Sequence, residues 1–71
     1  MTKAQVKKLA KGSKGDFFEG NYEGAAQALG LIREWAAALA DGSTVEQGGD
    51  GSVLLLGIDD SGNRTSEELS A

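Results

Sequence analysis

The sequence predicts an α+β fold in which two N-terminal helices pack on a small antiparallel sheet, in the order α-α-β-β with a third strand favoured at the end. Two observations lead to this prediction. Apolar residues recur at helical spacing up to Gly42, and the period changes to two after it. Glycine-rich turns then divide the second half into short segments. With 71 residues the chain is long enough for one small domain, residues 1–71.

The first predicted element is a short basic helix over residues 2–11. Thr2 and Gln5 have the spacing of a capping box, and Gly12 stands where a helix commonly ends. Two glycines in residues 12–15 are expected to interrupt the helix. A helix this short is marginal by itself, so we expect it to dock on the rest of the domain.

The second helix is predicted over residues 22–41, and Gly42 is expected to close it. Its apolar residues cover an arc of about 200°, although a surface helix needs little more than about 100°. We therefore expect the sheet to cover one side and the segment with Phe17 and Phe18 to cover another. Residues 20–26 are similar to the inter-helix turn of a tetratricopeptide repeat, and we interpret them as a helix-turn-helix corner.

The second half of the chain is predicted to form the sheet. Its segments are a polar edge strand over residues 43–47, a turn over 48–51, an apolar strand over 52–59, a turn over 59–63 and a third strand over 64–69. A short helix is the alternative for the last segment. We favour the strand, because a central strand flanked on both sides accounts best for the apolar run.

The residue types that are missing exclude most catalytic chemistry. Without histidine or cysteine no Ser-His or Cys-His pair can form, and carboxylates alone favour weakly held cations. Asp59 and Asp60 are adjacent carboxylates, and Asp60-Ser61-Gly62 resembles one half of an aspartic-protease site, which needs two halves, so we interpret this segment as a turn. A calcium loop starting at Asp59 would place Arg64 where glycine is required, and residues 48–51 lack the helix that follows a phosphate loop. We expect no enzyme activity, no catalytic residue, no metal, no cofactor and no small-molecule substrate.

Charge is distributed unevenly along the chain. The first 14 residues hold five lysines and no carboxylate, and all eleven carboxylates follow them. The candidate partner-binding lysines are Lys3, Lys7, Lys8 and Lys11. Two interpretations have equal weight: the basic helix lies across the acidic body and its charges are satisfied there, or the charges recruit a partner. Nucleic-acid binding is a weaker alternative, because no arginine or interleaved aromatic residue accompanies the lysines.

The strand over residues 52–59 is apolar on both faces. One face carries Leu54, Leu56 and Ile58, and the other carries Val53 and Leu55 together with Gly57. A sheet covered on one side needs only one apolar face. We expect the helices to cover the first face and leave Val53 and Leu55 exposed as partner-binding candidates. The alternative is that neighbouring side chains half-shield these two residues.

The composition favours the cytoplasm. The absence of cysteine fits a reducing compartment. No secretory signal is expected, because no long apolar stretch follows the basic residues 1–14. The longest apolar run, residues 53–58, is too short for a membrane span.

Together these features predict a small interaction module with a protein partner, most readily a regulator or inhibitor that binds a larger protein assembly. In size and lack of catalytic motifs the chain is similar to small phage-encoded inhibitors, anti-CRISPR proteins among them. The alternative is a self-associating structural or assembly protein. Weak nucleic-acid binding through the lysine helix ranks third.

Overall fold

The computed structural model describes residues 1–39 and 41–71. Its elements are α1 (Lys3–Phe18), α2 (Tyr22–Leu39), β1 (Thr44–Gln47), β2 (Val53–Ile58) and β3 (Arg64–Glu68). The strands form one antiparallel sheet in the order β1-β2-β3. The predicted α+β class is confirmed, as are the edge position of β1, the central position of β2 and the third strand.

The first helix is longer than the sequence predicts. Its start is as expected, because Thr2 and Gln5 form both hydrogen bonds of a capping box. Its predicted end at Gly12 is wrong, since the helix runs without interruption through residues 12–15 to Phe18.

The reason for the longer helix lies in tertiary packing around Ser13. This side chain is fully buried, its hydroxyl donates to the carbonyl oxygen of Ala25 at 3.0 Å, and Gln47 donates its amide to the same hydroxyl at 3.1 Å. Glycine in a helix interior costs about 1 kcal/mol relative to alanine. Contacts of this kind with α2 and the sheet offset that cost, and no sequence pattern within α1 shows them.

The helix-turn-helix corner is confirmed at residues 20–21. Gly20 has a φ of 86°, a left-handed conformation that glycine adopts without a steric penalty. Asn21 then starts α2 by accepting a hydrogen bond from the backbone N–H of Gly24 at 3.1 Å. The helix extends to Leu39, and the predicted part at Ala40 lies outside the described residues. The predicted end at Asp41 is wrong, because this residue lies in a turn.

Helix α2 is covered by α1 and by the sheet, but over a narrower arc than its sequence suggests. Its buried residues are Ala25, Leu29, Ile32 and Ala36. Phe17 packs edge-on against Tyr22 with ring centroids 5.1 Å apart. The expectation that Phe18 helps to cover α2 is wrong, because this residue is 82% exposed. Leu31 on the outer side of α2 is 51% exposed.

The core lies between the helices and one face of the sheet. Its fully buried side chains include Val6, Ile32, Val45, Val53 and Leu69. These residues place one face of the sheet against the helices, with β2 packed on α1 and β1 packed on α2. The face of β2 that points to this core is hereafter the inner face.

The predicted orientation of β2 is therefore wrong. Val53 is fully buried and Leu55 packs against the core, so both belong to the inner face. The register explains this result, because Val53 pairs with Gln47 and Leu55 pairs with the buried Val45 of the edge strand. Shifting a strand by one residue exchanges its faces. When both faces are apolar, the sequence of the strand does not distinguish them.

Both glycine-rich turns form as predicted, with an aspartate in each. The Asp59 carboxylate accepts hydrogen bonds from the backbone N–H groups of Ser61 at 3.0 Å and Asn63 at 2.8 Å. The Asp50 carboxylate accepts one from the N–H of Ser52 at 3.0 Å, which lowers the pKa of Asp50. These aspartates hold the two turns that connect the strands.

Candidate functional site: the outer face of the sheet

The opposite face of β2, hereafter the outer face, has an apolar centre and a polar border. The centre consists of Leu54, Leu56 and Ile58. The strand register places Thr44 and Glu46 of β1 on one side and Arg64, Ser66 and Glu68 of β3 on the other. Directly paired residues of antiparallel strands point to the same face. The outer face is therefore a three-residue apolar stripe between two polar rows.

No described helix or strand covers this stripe, because both helices lie on the inner face. Ile58 is 64% exposed, and Leu54 and Leu56 are half-buried by their neighbours within the sheet. A shallow depression of about 330 Å³ lies beside Ile58 and is lined by Gly42, Leu56 and Arg64 among others. The stripe thus offers both apolar area and a concave end to a binding partner.

On the β1 side of the outer face, the charged residue Glu46 already has an ion-pair partner. The Arg33 guanidinium donates to the carbonyl oxygen of Val45 at 2.8 Å and lies 3.4 Å from the Glu46 carboxylate. On the β3 side, Arg64 and Glu68 form no ion pair with any residue that the structure describes. These two opposite charges lie at the two ends of one row, four residues apart on the same face.

The lysines of α1 are divided between two environments. The Lys3 ammonium lies 2.9 Å from the Glu67 carboxylate of β3. Its hydrogen bond lowers the pKa of Glu67, and the nearby charge of Lys7 adds a smaller attraction. At this end, the basic helix lies against the acidic sheet and its charge is satisfied there.

Lys8 and Lys11 are exposed and make no ion pair within the described part of the chain. Lys8 borders a groove of about 350 Å³ between the helices, whose small or apolar lining includes Leu9, Gly12 and Ala28. Sequence reasoning missed this groove, because the two small residues that open it belong to different helices.

The carboxylates of the described residues do not cluster. Among them, no group of three or more carboxylates is close enough to hold a metal ion. The Asp59 carboxylate is committed to the backbone of its own turn. No helix in the described ranges combines the length and the apolar character needed to cross a membrane.

The structure separates the sequence-predicted site residues. Val53 is buried and Leu55 is half-buried on the inner face, and Lys3 is paired with the sheet. Lys7, Lys8 and Lys11 are exposed and form no ion pair in the described chain. The residues that sequence reasoning missed are Leu54, Leu56, Ile58, Arg64 and Glu68. Opposite charges at the two ends of the third strand were the available signal, and their meaning depends on the register of the sheet.

Comparisons of the chain with protein-family models, with curated proteins and with solved structures give no match.

Proposed function

We propose that the protein is a non-catalytic interaction module that binds another protein through the outer face of its sheet. The observation that supports this proposal is the uncovered stripe of the central strand, with Ile58 64% exposed beside the half-buried Leu54 and Leu56. A face of this kind serves either a larger assembly that the protein regulates or inhibits, or a second copy of the chain.

The energetics favour a bound outer face. Burying apolar surface stabilises a complex by roughly 25 cal/mol per Å², so three large aliphatic side chains form a useful contact even when each is only partly buried. The polar rows on both sides match the usual anatomy of an interface, with an apolar centre and a polar rim. Scattered single apolar residues on a surface need no partner, but three in one row on a central strand differ from that pattern.

Binding is a better proposal than catalysis for this chain. The sequence has no histidine or cysteine to act as a base or a thiol nucleophile. Of the adjacent aspartates that suggested paired carboxylates, Asp59 uses one oxygen to hold two backbone N–H groups. A carboxylate held in this way stabilises its turn.

Nucleic-acid binding through α1 has weaker support. Lys3 pairs with Glu67 and Lys7 also attracts this carboxylate, so fewer charges remain for phosphates. The missing cysteine favours a reducing compartment, and we therefore place the partner in the cytoplasm.

The test is affinity capture from a lysate of the source organism, with tagged wild-type protein and two variants. Ile58→Asp introduces a charge at the exposed end of the stripe. Leu31→Asp makes the same type of change at a similarly exposed site on α2, where the fractions are 64% and 51%. Both positions are exposed enough to keep the fold.

We expect wild-type protein and Leu31→Asp to retain the same protein, either a larger assembly or the untagged chain itself. Ile58→Asp is expected to lose it while its circular dichroism spectrum stays unchanged. Capture of the same proteins by all three baits would contradict the proposal, since the outer face would then contribute nothing.

A further inference from the structure

We infer that the partner of the outer face is a second copy of this chain, packed face to face with its strands antiparallel to those of the first. The inference rests on the proposed function, because it names the occupant of the same surface. The observation behind it is the symmetry of the β3 row. Arg64 pairs with Ile58, Ser66 pairs with Leu56 and Glu68 pairs with Leu54, so opposite charges flank a central serine.

A two-fold axis can lie between the two facing sheets, over Leu56 and Ser66 and perpendicular to the strands. This axis makes the outer face complementary to itself. Such an axis places Leu56 on Leu56 of the second copy and Ile58 on its Leu54. It also places each Arg64 opposite Glu68 of the second copy, twice in one dimer. A two-fold interface uses the same patch on both subunits, so one pair of residues yields two identical contacts.

The dimensions of the side chains fit this arrangement. Packed sheets lie about 10 Å apart, a gap that facing side chains fill. Aligned sheets cross at roughly 30°, which displaces the ends of the row by a few Å. Arginine and glutamate are long enough to reach across this displacement. Neither Arg64 nor Glu68 has an ion-pair partner within the described chain that would have to be given up.

Charge disfavours the other face-to-face arrangement. With the two-fold axis parallel to the strands, β3 of one copy would lie over β1 of the other. Glu68 would then face Glu46 of the second copy, and Arg64 would face Gly42, which has no side chain. Like charges facing each other destabilise an interface, so the antiparallel arrangement is preferred. In that arrangement Glu46 faces the glycine instead and keeps its own Arg33.

The small area of the face favours a weak dimer. Three strands about 4.8 Å apart and five residues at about 3.3 Å each cover on the order of 250 Å² per subunit. Standard interfaces bury roughly 800 Å² per partner, so this dimer belongs to the weak, concentration-dependent class with a Kd in the micromolar range or above.

The test is analytical ultracentrifugation of wild-type protein, Arg64→Glu, Glu68→Arg and an equimolar mixture of the two variants, over concentrations from the micromolar to the millimolar range. In each variant alone, both cross-pairs become like-charged, and we expect association to weaken by about tenfold or more. In the mixture, every facing pair is again of opposite charge, so we expect a heterodimer at least as stable as the wild-type dimer. Glu34→Arg makes the same charge change on α2 and should leave the wild-type behaviour unchanged.

Three results would overturn the inference: monomers at every wild-type concentration, a dimer that neither single variant weakens, or weakened variants whose mixture does not recover. Failure of this inference is separable from failure of the proposed function. If the protein is monomeric but its Ile58→Asp variant loses a host protein that the wild-type protein captures, the outer face remains a binding surface. A second copy of the chain is then excluded as its partner. Monomers together with capture that does not depend on Ile58 contradict both.

Discussion

The inner and outer faces of β2 have similar side chains and opposite surroundings. Val53 is fully buried against the helices, whereas Ile58 is 64% exposed. The difference does not arise from hydrophobicity, because both faces carry large aliphatic side chains. It arises from the side of the sheet on which the helices pack, and that side is fixed by Val45, Val53 and Leu69 together with the residues they meet on α1 and α2. An apolar side chain alone therefore does not identify a core position in a sheet of this kind.

The largest expected effect comes from placing the same charge on each face. Val53→Asp buries a carboxylate that has no partner, and a domain of this size has only a few kcal/mol of stability to lose, so we expect the variant to be unfolded. Ile58→Asp is expected to change the free energy of unfolding by less than about 1 kcal/mol. Urea denaturation followed by circular dichroism measures both. Equal destabilisation by the two substitutions would contradict the assignment of the faces.

A smaller loss of stability is expected from a substitution in α1, one of the helices that cover the inner face of the sheet. Ser13→Ala removes a buried hydroxyl that bonds Ala25 and leaves the Gln47 amide with fewer partners. We expect a loss of about 1–2 kcal/mol in unfolding free energy. The matched control is Gly12→Ala, whose added methyl group has no atom within 4 Å and which favours the helix. A stable Ser13→Ala protein would mean that packing around this hydroxyl does not hold α1 together.

The smallest effect separates two adjacent glutamates of β3. Glu67 faces α1, and the hydrogen bond from Lys3 lowers its pKa below the ordinary 4.5. The contribution of this ion pair to folding stability is therefore complete above about pH 4.5. It is lost as the pH falls through the lowered pKa of Glu67 in the folded state. Glu68 lies on the outer face without an ion pair in the described chain.

The measurement is the pH dependence of unfolding in dilute solution, between about pH 3 and pH 7, the range in which carboxylates titrate. Glu67→Gln is expected to flatten this dependence slightly, and Glu68→Gln is expected to leave it as in the wild-type protein. A larger effect from Glu68→Gln would show that this side chain has a partner within its own subunit.

The sequence was sufficient to predict the order of the helices and strands. It was insufficient to predict which face of β2 points to the helices. The change of period at Gly42 and the aspartate turns are local signals, and the elements they predict are present. The continuation of α1 through Gly12 depends on the contact of Ser13 with Ala25, which is twelve residues away. The inner position of Val53 depends on strand register and on the side where the helices pack. Both are tertiary effects that leave no periodic pattern in the sequence.

The candidate site could likewise be predicted only in part. That β2 would have an uncovered apolar face could be predicted by counting layers, because two helices cover only one side of a sheet. The residues that form this face could not be predicted. The sequence pointed to Val53 and Leu55, whereas in the structure the uncovered face carries Leu54, Leu56 and Ile58. The pairing of Lys3 with Glu67 likewise depends on where the first and last elements meet.

The most direct test of the account is thiol labelling of two single-cysteine variants, which is unambiguous because the chain has no cysteine of its own. Ile58→Cys is expected to react with a soluble disulfide reagent at nearly the rate of a free thiol in dilute solution. Val53→Cys is expected to react many times more slowly, at a rate limited by opening of the fold. Faster labelling at position 53 than at position 58 would show that the faces are reversed and would contradict the account.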